Sequence, residues 1–343
     1  MSERKVTRRQ CLGALAATAV ASAGGYVLWD RSGDRKTGQQ RHPIKDYFAG
    51  IEFPASNPRI SAALGDDRGI DAMVRAAVNG LDAGLGIKRF VHPGDVVLIK
   101  PNAGFDRPPH LGATTHPEVV RAVIRLCKEA GARQVMVTDH PIETPEACWI
   151  RSEIGPVAHS EGATLLTPRD REFVGLTGPA ELLKGWPVFV APLHRADKLI
   201  GIAPVKDHNL CGASMNLKNW YGLLGGRRNQ LHQAIHEVIS DLAAIFSPTL
   251  VIADATRVMM TSGPTGGRAT DVQPGGQLGR PAVIAAVDPV ACDAWCYENL
   301  LGRDPATLAY LSLAARKLAS LGRLGESNWR AYEVSGQIVT TSV

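Results

Sequence analysis

Cysteine pairs of the Cys-x-x-Cys type are missing from this sequence. The chain has six cysteines, but none stands in a Cys-x-x-Cys pair, which excludes zinc-ribbon and ferredoxin-type patterns. Cys11 lies in a segment with the layout of an export leader, and the odd number that remains excludes a complete disulfide framework. We therefore expect buried thiols, and this interpretation includes Cys292 and Cys296, which are four residues apart on a predicted helix.

Several other signatures are also absent. Neither a Walker nor a dinucleotide glycine pattern occurs, so no nucleotide is specified. No serine occupies a Gly-x-Ser-x-Gly elbow, which argues against a nucleophile-triad hydrolase. Residues 1–41 hold eight of the 38 basic residues and three of the 33 acidic ones, so residues 42–343 hold 30 of each. A body without excess positive charge predicts no nucleic-acid partner.

The N-terminus has the arrangement of a twin-arginine export signal. Arg8 and Arg9 stand before an apolar, alanine-rich stretch at residues 12–23, a layout that the twin-arginine machinery recognises. We predict a signal peptide or anchor at residues 1–29 and a polar linker at residues 30–44. The protein is expected to be exported to the periplasm or another extracytoplasmic space. An uncleaved signal that anchors it is an alternative, and this segment is the only predicted membrane contact.

The body alternates between buried strands and amphipathic helices. Residues 96–138 read as strand, helix and strand, which is a βαβ unit with a parallel sheet. Similar apolar runs recur downstream, so we predict an α/β fold with a mostly parallel sheet and flanking helices. One domain is expected to span residues 45–336. Residues 145–195 carry no clear period and are predicted to form a small inserted lobe.

Polar residues follow the apolar runs of the predicted sheet. Ligands of open parallel sheets bind outside the carboxyl ends of the strands, so these residues are expected to converge on one crevice. Lys100 and Lys206 directly follow buried runs and therefore need anionic partners. Ordinary polar turns are the alternative. The strand-end residues are Lys100, Asn102, Asp139, Lys206, His208, Asp254 and Asp288.

Two further segments contain residues that are candidates for anion binding or metal binding. Residues 206–228 concentrate cations, a histidine and glycines, which can hold a phosphate or carboxylate, although a solvated basic loop is the alternative. His232 and His236 are four residues apart on a predicted helix and can share a metal with Asp254. In the alternative interpretation, one of these histidines packs and the other is exposed. Residues 262–267 form a tight loop near the expected site.

The ordered motifs are Lys100-Pro101-Asn102, Thr115-His116-Pro117-Glu118, Lys206-Asp207-His208, Leu217-Lys218-Asn219 with Gly222, Leu231-His232, Asp254, Gly263-Pro264 and the run from Asp288 to Asp293. As a set they resemble the domain-of-unknown-function 362 family over roughly residues 45–336. Members often carry either ferredoxin-type segments or export signals, and this chain is similar to the second kind. The resemblance favours His116, His208 and His232 as site residues over His236 and Cys296.

The leading hypothesis is an exported enzyme that acts on a small anionic substrate. A divalent metal is a candidate cofactor, with His208, His232 and Asp254 as its ligands. One alternative is a non-catalytic ligand-binding, metal-binding or maturation protein. Another is a redox or iron–sulfur-associated protein, which the missing cluster motif disfavours. The catalytic candidates are Lys100, His208, His232 and Asp254. The substrate-binding candidates are Asn102, His116, Lys206, Lys218, Asn219, Gly263 and Asp288.

Overall fold

A computed structural model of the chain describes residues 42–323 and 339–342. The predicted signal segment and most of the predicted linker lie outside these residues. The α-helices are α1 (Ile70–Leu81), α2 (Pro117–Glu129), α3 (Pro145–Arg151), α4 (Ile154–Ser160), α5 (Ala191–Arg195), α6 (Asn216–Asn219), α7 (Ile235–Ile245), α8 (Pro289–Asn299) and α9 (Ala309–Ser320). The strands are β1 (His42–Pro43), β2 (Ile60–Leu64), β3 (Val96–Lys100), β4 (Gln134–Thr138), β5 (Thr164–Leu166), β6 (Phe173–Thr177), β7 (Pro187–Phe189), β8 (Lys198–His208), β9 (Gly212–Ser214), β10 (Leu250–Met259), β11 (Val272–Gln273), β12 (Ala282–Ala286) and β13 (Val339–Ser342).

One large mixed sheet organises the described part of the chain. Its main path runs β13-β2-β12-β10-β8-β3-β4-β5, and the short strands β9 and β11 pair with β8 and β10. The consecutive strands β10, β8, β3, β4 and β5 are parallel to one another. The predicted α/β fold with a mostly parallel sheet and flanking helices is confirmed.

The middle of the sheet is covered on both faces, as a parallel sheet requires. Every residue of β3 is buried, and its successive side chains point to opposite faces. Leu98 packs in one hydrophobic cluster, whereas Val97 and Ile99 pack in the other. This two-sided burial explains why the strand is a continuous apolar run rather than an alternating one.

In the first βαβ unit, the helix begins and ends at residues that are typical of helix termini. Helix α2 begins at Pro117, behind the capping residue His116, and its buried face includes Val119 and Val123. The chain then turns at Gly131, whose φ of 90° suits glycine. Strand β4 follows and pairs in parallel with β3. The carboxyl ends of β3 and β4 therefore lie side by side.

Strand β12 departs from the parallel arrangement. It pairs antiparallel with both β10 and β2, so its carboxyl end lies at the opposite edge of the sheet from that of β10. Asp288, which follows β12, is consequently carried away from the ends of β3, β4 and β8. Its side chain instead caps α8 by accepting hydrogen bonds from the backbone N–H groups of Val290 and Ala291, both at 3.0 Å.

Residues 145–195 divide between two sheets. Helices α3 and α4 lead into β5, which extends the large sheet by pairing with β4. Strands β6 and β7 pair with each other, and β1 joins β6 in a separate three-stranded sheet. Within residues 42–323, no helix combines the length and apolar character needed to cross a membrane.

Candidate functional site

A cavity of about 150 Å³ opens where β3, β4 and β8 end. It contains eight residues predicted from the sequence, which are seven catalytic or substrate-binding candidates and the strand-end residue Asp139. Gly263 precedes the lining residue Pro264. The carboxyl ends of the parallel strands therefore bring together most of the residues that the sequence predicted. The seven catalytic or substrate-binding candidates in the lining are Lys100, Asn102, Lys206, His208, Lys218, Asn219 and His232. Lining residues that were not selected as site residues include Phe105, Asp139, His140, Tyr221, Gly222 and Arg228.

Lys100 is built into the cavity wall. Its Nζ forms an ion pair with Asp139 Oδ1 at 2.7 Å and donates to the Pro101 carbonyl at 2.7 Å and to Asn219 Oδ1 at 2.8 Å. An ammonium group has three hydrogens, so these acceptors use all of them. Burial lowers the pKa of Lys100, and the Asp139 carboxylate opposes that shift. Lys100 therefore holds the wall together and has no hydrogen left for a ligand.

Asp139 and Gly222 complete this wall. The Asp139 carboxylate also accepts from the backbone N–H groups of Ala103, at 2.7 Å, and His140, at 2.9 Å. Gly222 packs against the Lys100–Asp139 pair so closely that a Cβ atom would lie 2.0 Å from Asp139 Oδ1. Glycine is required here because the backbone approaches a buried ion pair.

Lys206 has a different environment. Its side chain is 1% exposed, donates to the Ala113 carbonyl, and lies with Nζ 4.9 Å from the centre of the Phe105 ring. No carboxylate of the described residues forms an ion pair with it. Burial and the nearby Lys218 lower the pKa of Lys206 to about 7. The amine is therefore close to its protonation midpoint at neutral pH, and it faces the cavity.

Two more cations line the cavity. Lys218 lies with Nζ 5.1 Å from the centre of the Tyr221 ring, and burial lowers its pKa. Arg228 is held by backbone carbonyls, since it donates to those of His140 and Pro141 at 2.7 and 2.8 Å. Asp139 is the acidic residue in the lining, and it is already paired with Lys100. The cavity therefore has a surplus of positive charge.

Three imidazoles add neutral polar groups. The rings of His208 and His232 stack with centroids 6.3 Å apart and planes 16° apart. Burial, followed by Lys218 and Lys206, lowers the pKa of His208 to about 2. Burial also lowers the pKa values of His232 and His140. All three rings are thus expected to be neutral, because burial and, after it, the neighbouring positive charge disfavour the protonated ring.

The structure leaves His116 and Asp254 outside the cavity. Asp254 lies within β10, which continues for five residues beyond it, so this residue is not at a strand end. Its carboxylate accepts from the His116 backbone N–H at 2.7 Å and from the Thr256 hydroxyl at 2.6 Å. The His116 Nδ1 accepts from the Glu118 N–H at 3.2 Å. These two residues fix the start of α2.

The proposed metal ligands do not converge. His208 and His232 lie in the cavity, whereas Asp254 is engaged at the start of α2. His236 stacks on Tyr310 with a centroid distance of 6.2 Å and does not line the cavity. Within the described ranges, no group of three or more His, Cys, Asp or Glu side chains is arranged to hold a metal ion. The donor set therefore does not fit a metal centre built from these residues.

Gly263 lies beside the cavity rather than in its lining. Its N–H donates to Asp207 Oδ2 at 3.2 Å, and a Cβ atom there would lie 1.8 Å from the Asp207 carbonyl oxygen. The Asp207 carboxylate also pairs with Arg303 at 2.8 Å. Glycine therefore lets this loop approach β8, which brings Pro264 to the cavity.

The cysteines of the described residues form no part of the cavity lining. The prediction of buried thiols is confirmed for all five in the body, which are Cys127, Cys148, Cys211, Cys292 and Cys296. Burial raises the pKa of Cys127 to about 12 and that of Cys148 and Cys211 to about 11. Reactive cysteines have lowered pKa values, so these thiols have the properties of core residues.

Comparison with known proteins gives two matches. The family model described as domain of unknown function (DUF362) matches residues 97–298, a range that contains every lining residue of the cavity. The chain is also similar to Thylakoid-associated protein sll1697 of Synechocystis sp. (strain ATCC 27184 / PCC 6803 / Kazusa). The two are 27% identical over 249 residues, which cover 67% of this chain and 70% of that relative.

Proposed function

The chain belongs to the DUF362 family, and we propose that its cavity binds a small anion and that the protein is an enzyme acting on such a substrate. Lys206, Lys218 and Arg228 line the cavity and form no ion pair with a carboxylate of the described chain. Uncompensated buried cations are costly. An anionic ligand would supply the missing counter-charge, and this surplus is the observation that carries the proposal.

The polar groups of the cavity support catalysis rather than binding alone. Lys206, with a pKa of about 7, can gain or lose a proton near neutral pH, and the neutral His232 ring is a second group able to exchange one. Groups with such shifted pKa values concentrate at catalytic sites. The size of the cavity favours a compact substrate with a phosphate or carboxylate group. A binding or maturation protein is the alternative, and saturable binding without turnover would favour it.

Titration calorimetry on the full-length protein tests anion binding. We expect phosphate and small carboxylates to bind with one site per chain near neutral pH. Lys218→Met should weaken binding by roughly tenfold to a hundredfold, since a charge-assisted hydrogen bond contributes about 1.5–3 kcal/mol. Lys88→Met is the matched control, because Lys88 is exposed and does not line the cavity.

Ionic strength is kept constant with chloride in every titration, so that general screening does not imitate specific binding. Equal affinities for the wild type and Lys218→Met would contradict the assignment of the anion site to this cavity. A similar loss in Lys88→Met would show that the effect reflects overall charge rather than the cavity.

Export through the twin-arginine route is the second part of the proposed function. Arg8 and Arg9 precede the apolar leader, and this route carries folded proteins. The name of the Synechocystis relative associates that protein with the thylakoid, which is compatible with a membrane-proximal location for this chain. The cavity would then act on an extracytoplasmic anion.

Replacing the arginine pair tests export directly. In the double variant Arg8→Lys, Arg9→Lys, we expect most of the protein to remain in the cytoplasm, because the pair is the recognition element of the signal. Cell fractionation followed by immunoblotting measures the distribution. Arg4→Lys is the matched control and should leave the distribution unchanged. An unaltered distribution in the double variant would argue against this route.

A further inference from the structure

The stacked rings of His208 and His232 differ in the hydrogen bonds made by their Nδ1 atoms. In His208, Nδ1 receives the backbone N–H of Leu210 at 3.2 Å. A backbone N–H can only donate, so this Nδ1 carries no hydrogen. The neutral ring must then carry its hydrogen on Nε2. His208 therefore has an N–H donor on the ring edge that its backbone contact leaves unused.

His232 is held in the opposite form. Its Nδ1 lies 3.1 Å from the Asn229 carbonyl oxygen and 3.2 Å from the Tyr221 hydroxyl oxygen. A carbonyl can only accept, and the Tyr221 hydroxyl donates its own hydrogen to the Arg228 carbonyl. Both neighbours thus accept from His232, which fixes the hydrogen on Nδ1. The Nε2 lone pair is left as an acceptor.

His140 resembles His232 in this respect. Its Nδ1 lies 2.9 Å from the Leu224 carbonyl oxygen, so the neutral ring also carries its hydrogen on Nδ1. The cavity thus combines cationic donors, one imidazole donor and two imidazole acceptors. A simple oxyanion offers only acceptors, which would leave the lone pairs of His232 and His140 without a hydrogen.

We propose that the cavity selects anions that carry a hydroxyl group beside their charged oxygens, as hydrogen phosphate and 2-hydroxycarboxylates do. The charged oxygens accept from His208 Nε2–H and from the lysines, and the hydroxyl donates to His232 Nε2. This inference rests on the proposed function, since it assumes that the cavity binds a small anion. It goes further by naming the chemical class of that anion.

Selectivity follows from the half-buried acceptor on His232. A site built to bind a hydroxyl group rejects an analogue without one, because its own polar group then loses its partner. Lactate and propionate differ by one hydroxyl group. Hydrogen phosphate and sulfate are similar in size and shape, but only hydrogen phosphate has an O–H donor. These two pairs isolate the contribution of the hydroxyl hydrogen.

Nitrogen NMR of the histidine rings tests the tautomers without any ligand. We expect long-range ¹H–¹⁵N spectra of the full-length protein to show the hydrogen on Nε2 of His208 and on Nδ1 of His232. The variants His208→Gln and His232→Phe assign the signals. If both rings carry the hydrogen on the same nitrogen, the inference is wrong.

Competition titrations near neutral pH test the selectivity. We expect the wild type to prefer lactate over propionate, and hydrogen phosphate over sulfate, by about tenfold or more. His232→Phe should reduce both ratios to about one. His159→Phe should keep them, because His159 is exposed and does not line the cavity. Thermal unfolding of each variant confirms that it is folded.

The outcomes separate this inference from the proposed function. Tight binding of all four anions without preference would overturn the inference and leave anion binding intact. Selectivity that persists in His232→Phe would overturn the role of His232. Failure of all four anions to bind the wild type would overturn the proposed function and the inference together.

Discussion

Replacement of Lys206 by methionine is expected to remove most anion binding while making the ligand-free protein more stable. Methionine keeps the length of the side chain but has no charge, and Lys206 is 1% exposed without a carboxylate partner among the described residues. Removing an uncompensated buried charge should raise the free energy of unfolding by about 1–4 kcal/mol. The affinity for phosphate should fall by about a hundredfold, because the ligand loses a charged donor.

The same variant has a defined pH signature. The folded pKa of Lys206 is lowered from 10.5 to about 7, so between these values the unfolded chain holds a proton that the folded chain has lost. The free energy of unfolding contributed by Lys206 therefore rises with pH in this window. Relative to Lys206→Met, the wild type should gain about 2 kcal/mol over the two pH units above neutrality. Anion affinity should fall over the same range.

Denaturant unfolding at several pH values and phosphate titration measure both effects. Lys88→Met is again the control and should match the wild type in stability, pH dependence and affinity. A lower stability of Lys206→Met near neutral pH would contradict the assignment of Lys206 as an uncompensated buried cation. Unchanged phosphate affinity would contradict its role in the anion site.

Gly222→Ala is expected to cause the largest loss of stability among these variants. The added Cβ would lie 2.0 Å from Asp139 Oδ1 and 2.7 Å from Lys100 Nζ. Asp139 cannot easily move away, because the backbone N–H groups of Ala103 and His140 hold its carboxylate. Disrupting this buried pair should lower the free energy of unfolding by about 4 kcal/mol and abolish anion binding.

Gly69→Ala provides the matched comparison. A Cβ at Gly69 would have its nearest neighbour at 3.7 Å, on Asp66 Oδ1, which is an ordinary contact. Its free energy of unfolding should change by no more than about 0.5 kcal/mol. Chemical denaturation of both variants measures the difference. Wild-type stability in Gly222→Ala would show that the wall of the cavity adapts easily and does not depend on the Lys100–Asp139 geometry.

The position of the site was predictable because it depends on local pattern. Continuous apolar runs that end at Lys100 and before His208 identify parallel strands, and parallel strands bring their carboxyl ends to one edge. The cavity found there contains both lysines that follow those runs. The same reasoning included Asp139 among the strand-end residues, although only the structure shows that it is the partner of Lys100.

The same rule failed where a strand is longer or runs the other way. Asp254 was taken as a strand end, but β10 continues beyond it, and its last residues, Val258 and Met259, pair antiparallel with β11. Asp288 does follow a strand, yet β12 is antiparallel to β10. Strand direction depends on the path of the connecting chain, which short sequence windows do not contain.

The sequence by itself determined the α/β fold, the strand-end location of the cavity and most of the cationic residues around it, because these depend on apolar periodicity and residue type. Only the tertiary structure decided which of these cations is compensated. Lys100 and Lys206 look alike in sequence, since each follows a buried run. In the described part of the chain, however, Asp139 neutralises Lys100, whereas no carboxylate forms an ion pair with Lys206. A long-range contact sets this difference, because Asp139 reaches Lys100 from the end of the neighbouring strand β4.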